Sequence, residues 1–195
     1  MTRGMRRPVA AGTSRLEDDD LVVAIRSGNL SGLGTLFDRH GADVRRLLVR
    51  LGVNARDVDD LVQDTFLDSI VASATFQSGH SVRAWLFGIA VIVTRRHRRS
   101  VGRMFVRVQR WAAQRVQARV FTPAEELEWT EEARRSQRAL SRLAPKKRDA
   151  FVLVVLEELS GEEAAAALEV PVATVWTRVH YARREMLRFL ELDPP

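Results

Sequence analysis

The 195-residue sequence contains no cysteine. A disulfide framework, a cysteine-based zinc site and a thiol nucleophile are therefore excluded. Lysine is almost absent: all but two of the 31 basic residues are arginine, the exceptions being Lys146 and Lys147. The four histidines, His40, His80, His97 and His180, are scattered without metal-ligand spacing. There is no phosphate-binding glycine loop and no G-x-S-x-G nucleophile turn. No apolar run approaches the roughly 20 residues of a membrane span. Met1 to Arg15 carries basic residues but no apolar stretch of signal-peptide length, so the reading is a cytoplasmic protein without membrane insertion.

Acidic residues are outnumbered, 25 against 31, for a net charge of +6 and a pI near 10.9. A basic, arginine-dominated chain is an electrostatic candidate for nucleic acid, although charge alone also suits a merely soluble basic protein. A composition of 46% hydrophobic and 29% charged residues marks a globular chain.

Helical periodicity dominates, and alternating strand patterns are scarce. Residues 1–16 form a tail. Helices are expected over about Glu17–Ser27, Ser31–Leu51, Ala55–Ala72 and, capped by Ser81, on to about Arg99. Between the last two lies the loop 73–81. Residues 101–122 have Arg103, Arg107, Arg110, Arg115 and Arg119 with no acid among them, and read as a basic linker. Thr122-Pro123-Ala124-Glu125 resembles a helix start running to about Leu143. Pro145 opens a helix through Leu159, Ser160-Gly161-Glu162-Glu163 is a capping box for a short helix ending near Leu168, and Pro171 opens the last helix, to about Leu190. The expected fold is all-α: two small helical domains, 17–100 and 123–192, joined by the linker.

Residues 161–168 and 172–186 have the form of a helix-turn-helix. Val172, Val175, Val179, Ala182 and Met186 make the inner stripe of its second helix. Ala173, Trp176, Thr177, His180, Arg183 and Arg184 then face outward, a set able to meet base edges and phosphates in a major groove. A helical hairpin with a polar face is the plain alternative, and an outward Trp176 weighs against it. Whether Trp176 touches DNA or packs on the preceding helix stays open at this point.

Leu159-Ser160-Gly161-Glu162-Glu163-Ala164-Ala165, Val170-Pro171-Val172-Ala173-Thr174-Val175 and Arg178-Val179-His180-Tyr181-Ala182-Arg183-Arg184 together resemble the promoter-reading motif of bacterial sigma factors. The resemblance is to the extracytoplasmic-function (ECF) group of the sigma-70 family. It implies DNA contacts by Thr174, Trp176, Thr177, Arg178, His180, Arg183 and Arg184. Three residues depart from the family pattern: Ala164 where Ile is usual, Glu169 where the turn usually has Gly, and Trp176 where a basic residue is common.

On the helix 55–72, Val58, Leu61, Val62, Thr65, Phe66 and Ile70 cover one face. Asp57, Asp60, Gln63, Asp64, Leu67, Asp68 and Val71 cover the other. An acidic stripe containing apolar residues suits a docking site for a basic helix; the alternative is an ordinary acidic surface. Asp59-Asp60-Leu61-Val62-Gln63-Asp64-Thr65-Phe66 resembles the sigma segment that binds the clamp helices of the largest polymerase subunit. By that match Asp60, Gln63, Asp64 and Leu67 contact polymerase. Ser81-Val82-Arg83-Ala84-Trp85-Leu86-Phe87-Gly88-Ile89-Ala90 resembles the segment that melts promoters, with the loop 76–81 capturing an unstacked base. Stabilising a flipped base needs a pocket, and nearby cations hold the single strand. Arg83, Arg95, Arg96, Arg98 and Arg99 are the candidates. Val91, Ile92 and Arg96 depart from the family there.

The resemblance implies a transcription initiation factor with core RNA polymerase as partner (the clamp helices, and the flap of the second subunit), promoter DNA as ligand, and an anti-sigma factor as inhibitor. It implies no cofactor, metal or enzymatic activity in this chain. Two other classes fit the sequence less well. An isoprenoid-synthase-like enzyme would use Asp59, Asp60 and Asp64 to hold magnesium, but Asp59 points away from the other two and no facing carboxylate cluster exists. A conventional helix-turn-helix activator or repressor would bind duplex alone, usually as a dimer, and would carry an apolar sensing pocket in place of the acidic stripe.

Overall fold

The computed structural model describes residues 17–112 and 130–191, with side chains of 104–112 excepted. Among these residues every regular element is helical. Helix α1, Asp18–Arg26, opens on three aspartates and closes on Arg26, which complements its dipole. It buries Leu21, Val22 and Ile25 on α2, Ser31–Arg50. Arg26 donates to the carbonyls of Ser73 (2.8 Å) and Phe76 (2.5 Å), holding α1 against the turn that follows α3.

Helix α3, Ala55–Ala72, starts at Asn54, whose side chain accepts from the Arg56 amide at 3.2 Å. A short 3-10 turn, Ser73–Thr75, leads into the loop before α4. The Ser81 hydroxyl caps α4 by accepting from the Ala84 amide at 3.1 Å, as the sequence implies. Helix α4, however, runs from Val82 to Ala112, well past the expected end at Arg99. Residues 100–112 contain no proline and one glycine, Gly102. A single glycine costs about 1 kcal/mol, which an already propagating helix tolerates. A shortage of acid is no helix stop, and the boundary placed at 100/101 falls inside this helix. The remainder of the expected linker, 113–122, lies outside the described residues, as does the tail 1–16.

Helix α5, Glu131–Arg142, is capped by the Thr130 hydroxyl, which accepts from the Ala133 amide at 3.3 Å. The helix start read at Thr122–Glu125 lies outside the described residues, but Thr130 is non-helical, so no continuous helix 124–143 forms. Helix α6, Pro145–Phe151, widens into one π-helical turn, Val152–Leu156. The expected continuation to Leu159 fails there: the Glu157 amide bonds back to the Val152 carbonyl, and Glu158 takes a left-handed φ of 58°. Helix α7, Gly161–Leu168, has the full capping box between Ser160 and Glu163. Helix α8 spans Val172–Glu191.

The two units pack on one another around a shared apolar core. Helices α4 and α7 meet at Gly88 and Ala167, where a Cβ on Gly88 would lie 3.3 Å from the Ala167 Cα. Across the same boundary, buried Gln137 donates to the Val49 carbonyl at 2.8 Å.

Candidate nucleic-acid and polymerase interface

Helix α8 is seated by Val175, Val179, Ala182 and Met186, all buried, on a floor formed mainly by α6 and α7. The outward face read from the sequence is the observed one: Ala173, Trp176, Thr177, His180, Arg183 and Arg184 are all exposed. Thr174 and Arg178 are half-buried on its flanks. The Thr177 hydroxyl donates to the Ala173 carbonyl at 2.8 Å, so its proton is engaged and its lone pairs are what it offers outward. His180 stands edge-to-face on Tyr181 with ring centroids 5.5 Å apart.

Trp176 is 49% exposed, yet one edge of its indole lies over Gly161 at the start of α7. A Cβ on Gly161 would come within 3.0 Å of the Trp176 Nε1. Trp176 therefore braces α7 with one edge, as the packing reading expects, and presents the rest of its ring outward. The turn departure is also explained locally. Glu169 takes the left-handed φ of 55° in which glycine is at ease.

On α3, Asp60, Gln63, Asp64 and Leu67 are all exposed, with Leu67 57% and Val71 80% accessible. Their acidic neighbours are occupied. Asp59 pairs with Arg45, Asp68 with Arg96 at 2.8 Å, and Asp57 with His97 at 3.4 Å. Asp60 and Asp64 have no ion pair among the described residues. The free charges and exposed apolar side chains thus share one face.

Most of the arginines read as promoter-melting candidates are engaged in ion pairs. Arg83 lies between the units, with Nη2 2.7 Å from Glu157 Oε2, Nη1 donating to the Glu157 carbonyl at 2.9 Å, and its guanidinium 4.5 Å above the Phe87 ring. Arg50 holds the other Glu157 oxygen at 2.6 Å. Arg98 pairs with Asp149 at 3.1 Å, and Arg95 lies 3.6 Å from the same carboxylate. Arg96 is turned to Asp68, while Arg99 is exposed. In the loop, Phe76 is buried and tilted on Trp85 at 5.1 Å, with Gln77, Ser78, Gly79 and His80 exposed.

Two family models match the chain: Sigma-70 region 2 over residues 36–104 and Sigma-70, region 4 over residues 134–186. RNA polymerase sigma factor CnrH of Cupriavidus metallidurans is 31% identical over 186 residues, 91% of this chain and 97% of that protein. ECF RNA polymerase sigma factor EcfG of Rhodopseudomonas palustris is 31% identical over 77% of this chain and 80% of its own length. This chain belongs to the ECF group of the sigma-70 family. Among solved structures, CnrH in complex with the cytosolic domain of CnrY matches this sigma factor with a TM-score of 0.64 at 29% identity, covering 91% of this chain and 99% of that one. The sigma factor RpoE with the anti-sigma factor NepR, from Bartonella quintana, matches with a TM-score of 0.61 at 26% identity, covering 78% and 92%.

Sequence reasoning missed the acids of the sigma factor's second unit. Glu157 and Asp149 are 2% exposed, and between them they hold Arg50, Arg83, Arg95 and Arg98 of the first unit. A signal existed for Asp149, since it shares a helical face with Leu153. Glu157 carried none, because the π-helical turn that directs it inward is invisible to a 3.6-residue wheel. Beside them, Arg148 donates to the carbonyls of Leu51 (3.0 Å), Leu140 (2.7 Å) and Leu143 (3.2 Å). Burial, with the nearby Arg98 charge adding to it, lowers the Arg148 pKa to about 10. No group of three or more candidate metal ligands occurs among the described residues, and no described helix is long and apolar enough to cross a membrane.

Proposed function

We propose that this sigma factor docks on core RNA polymerase through Asp60, Gln63, Asp64 and Leu67, opens the upstream promoter element with its first unit, and reads the distal element as duplex with α8. The observation that carries the reading is the pair of faces left exposed among the described residues. The acid-and-apolar stripe of α3 fits a basic helix, here the polymerase clamp helices. The face of Trp176, Thr177, His180, Arg183 and Arg184 fits a major groove. Arg178 and Thr174, on the flanks, suit phosphates, which set register without reading sequence. The second unit also meets the flap of the second polymerase subunit. The catalytic magnesium and nucleotide chemistry belong to the polymerase, and the sigma factor is not itself an enzyme.

In the packed arrangement Arg83, Arg95 and Arg98 are held by Glu157 and Asp149. Their use on a promoter requires the units to separate, so that DNA phosphates replace the two carboxylates. An anti-sigma factor is the natural inhibitor of such a protein, and the CnrH–CnrY and RpoE–NepR complexes favour one here. Run-off transcription with purified core polymerase, with and without this protein, tests the assignment. Promoter-specific transcripts that require the protein support it. Duplex binding by the protein alone, with no effect on core polymerase, would favour the activator or repressor reading.

A further inference from the structure

Between the units lies a cleft of about 640 Å³, with α4 on one side and α6, the α7–α8 turn and α8 on the other. Its walls are unusually rich in cations. Arg95, Arg98 and Arg99 come from the first unit, and Lys146 and Arg178 from the second. Asp149 is already engaged by Arg95 and Arg98. Arg99, Lys146 and Arg178 have no carboxylate partner among the described residues. The other acid on the lining, Glu169, is exposed. Ile92 and Val170 add apolar surface to the same walls.

We propose that this cleft is a binding site for a small phosphate-rich anion, a polyphosphate chain free or carried on a nucleoside, which bridges Arg99 on one unit to Lys146 and Arg178 on the other. The volume falls within the range of small-ligand sites, about 300–1,000 Å³. Guanidinium and ammonium groups are the side chains that hold phosphate oxygens through charge-assisted hydrogen bonds. Three cations on one lining, without carboxylate partners among the described residues, repel one another, and a multiply charged anion relieves that repulsion where a monoanion leaves most of it. Because the two walls belong to different units, the site exists only while they are packed. An anion bound there stabilises the packed form by mass action.

The test is calorimetric titration of the full chain with sodium tripolyphosphate, alongside inter-unit energy transfer between dyes placed on exposed positions of α3 and α8. It needs neither polymerase nor promoter, so it stands or falls separately from the assignment above. One site is expected, with energy transfer rising on binding. Lys146→Ala and Arg178→Ala should each weaken binding about tenfold, the loss of one charge-assisted contact. Glu169→Gln should tighten it. Arg188→Ala, which removes an exposed charge absent from the cleft lining, is the control for general attraction to a basic protein and should change nothing. All four variants are at exposed or half-buried positions, and circular dichroism checks their folding. A nucleoside triphosphate binding more tightly than tripolyphosphate would assign Ile92 and Val170 to a base. Equal affinity would make the phosphate chain the whole ligand. Binding that Arg188→Ala weakens as much as Lys146→Ala, or that leaves energy transfer unchanged, would overturn the proposal.

Discussion

Arg148 reaches the Leu51 carbonyl through the space that a side chain on Gly52 would fill. A Cβ there would lie only 2.1 Å from the Arg148 Nη1, and Gly52 has a φ of 84°. The glycine is thus required twice, once for its own backbone and once for an arginine that arrives from the other unit. Gly52→Ala should lower stability by about 1–2 kcal/mol from the left-handed backbone alone, and by more if Arg148 is expelled. Thermal denaturation of Gly52→Ala, Arg148→Ala and the double variant checks this. The two effects should be clearly non-additive, since the second substitution removes what the first has already displaced.

The Glu157 carboxylate joins Arg50 and Arg83 across the unit boundary with side-chain exposure of 1%. Glu157→Gln leaves Arg50 without its anion and Arg83 with only the Asp43 carboxylate, 3.6 Å away. Because both arginines are partly exposed and water can reach them, the expected loss is about 1–3 kcal/mol, below that of breaking a fully buried pair. Small-angle scattering should show a larger radius of gyration. If the units open as the functional assignment requires, the variant should also occupy promoter DNA at lower holoenzyme concentration.

Asp60 and Asp64 are exposed and have no ion pair among the described residues, so reversing both charges should leave the fold intact. Asp60→Arg with Asp64→Arg is expected to abolish co-purification with core polymerase, because attraction becomes like-charge repulsion. Normal holoenzyme formation by the double variant on gel filtration would remove α3 from the docking site.

Arg178 and Trp176 should fail differently. Arg178→Ala is expected to weaken holoenzyme on every promoter alike and to lower the salt dependence by about one unit of slope. Thr177→Ala or Trp176→Arg should change which promoters are used, each base contact being worth roughly 1–3 kcal/mol. A promoter-library selection reads the difference. Since Trp176 rests on Gly161, the melting temperature of Trp176→Arg must be measured beside it. An unchanged preference with a lower melting temperature would leave Trp176 a purely structural brace.

Asp18 ties α1 to α2 through Arg39 at 2.5 Å and His40 at 2.7 Å. Partial burial works to raise its pKa, and the hydrogen bonds and charges of Arg39 and His40 outweigh that, leaving it below the usual 3.8. A depressed carboxylate contributes stability that is present above its unfolded pKa and lost as pH falls through the folded one. Acid titration should therefore loosen α1 below about pH 4, seen as faster amide exchange over residues 18–26. Asp18→Asn should remove that pH dependence.

Local chemistry decided a great deal of this protein without reference to its fold. The capping box at Ser160, the Ser81 cap, the inner stripe of α8 and the two faces of α3 all follow from spacing and side-chain type, because each depends on neighbours within a turn or two. The outward recognition face and the exposed Asp60–Gln63–Asp64–Leu67 stripe were legible for the same reason. What only the tertiary structure decided depends on contacts between distant parts of the chain. Arg83, Arg95 and Arg98 read as free cations in the sequence, yet they lie against Glu157 and Asp149, acids 51 to 74 residues away. Nothing local marks that pairing, because Glu157 is turned inward by a π-helical turn and Asp149 gains its partners only when α6 meets α4. The sequence by itself determined the two exposed faces; the packing of one unit on the other decided that the α4 arginines between the units are paired.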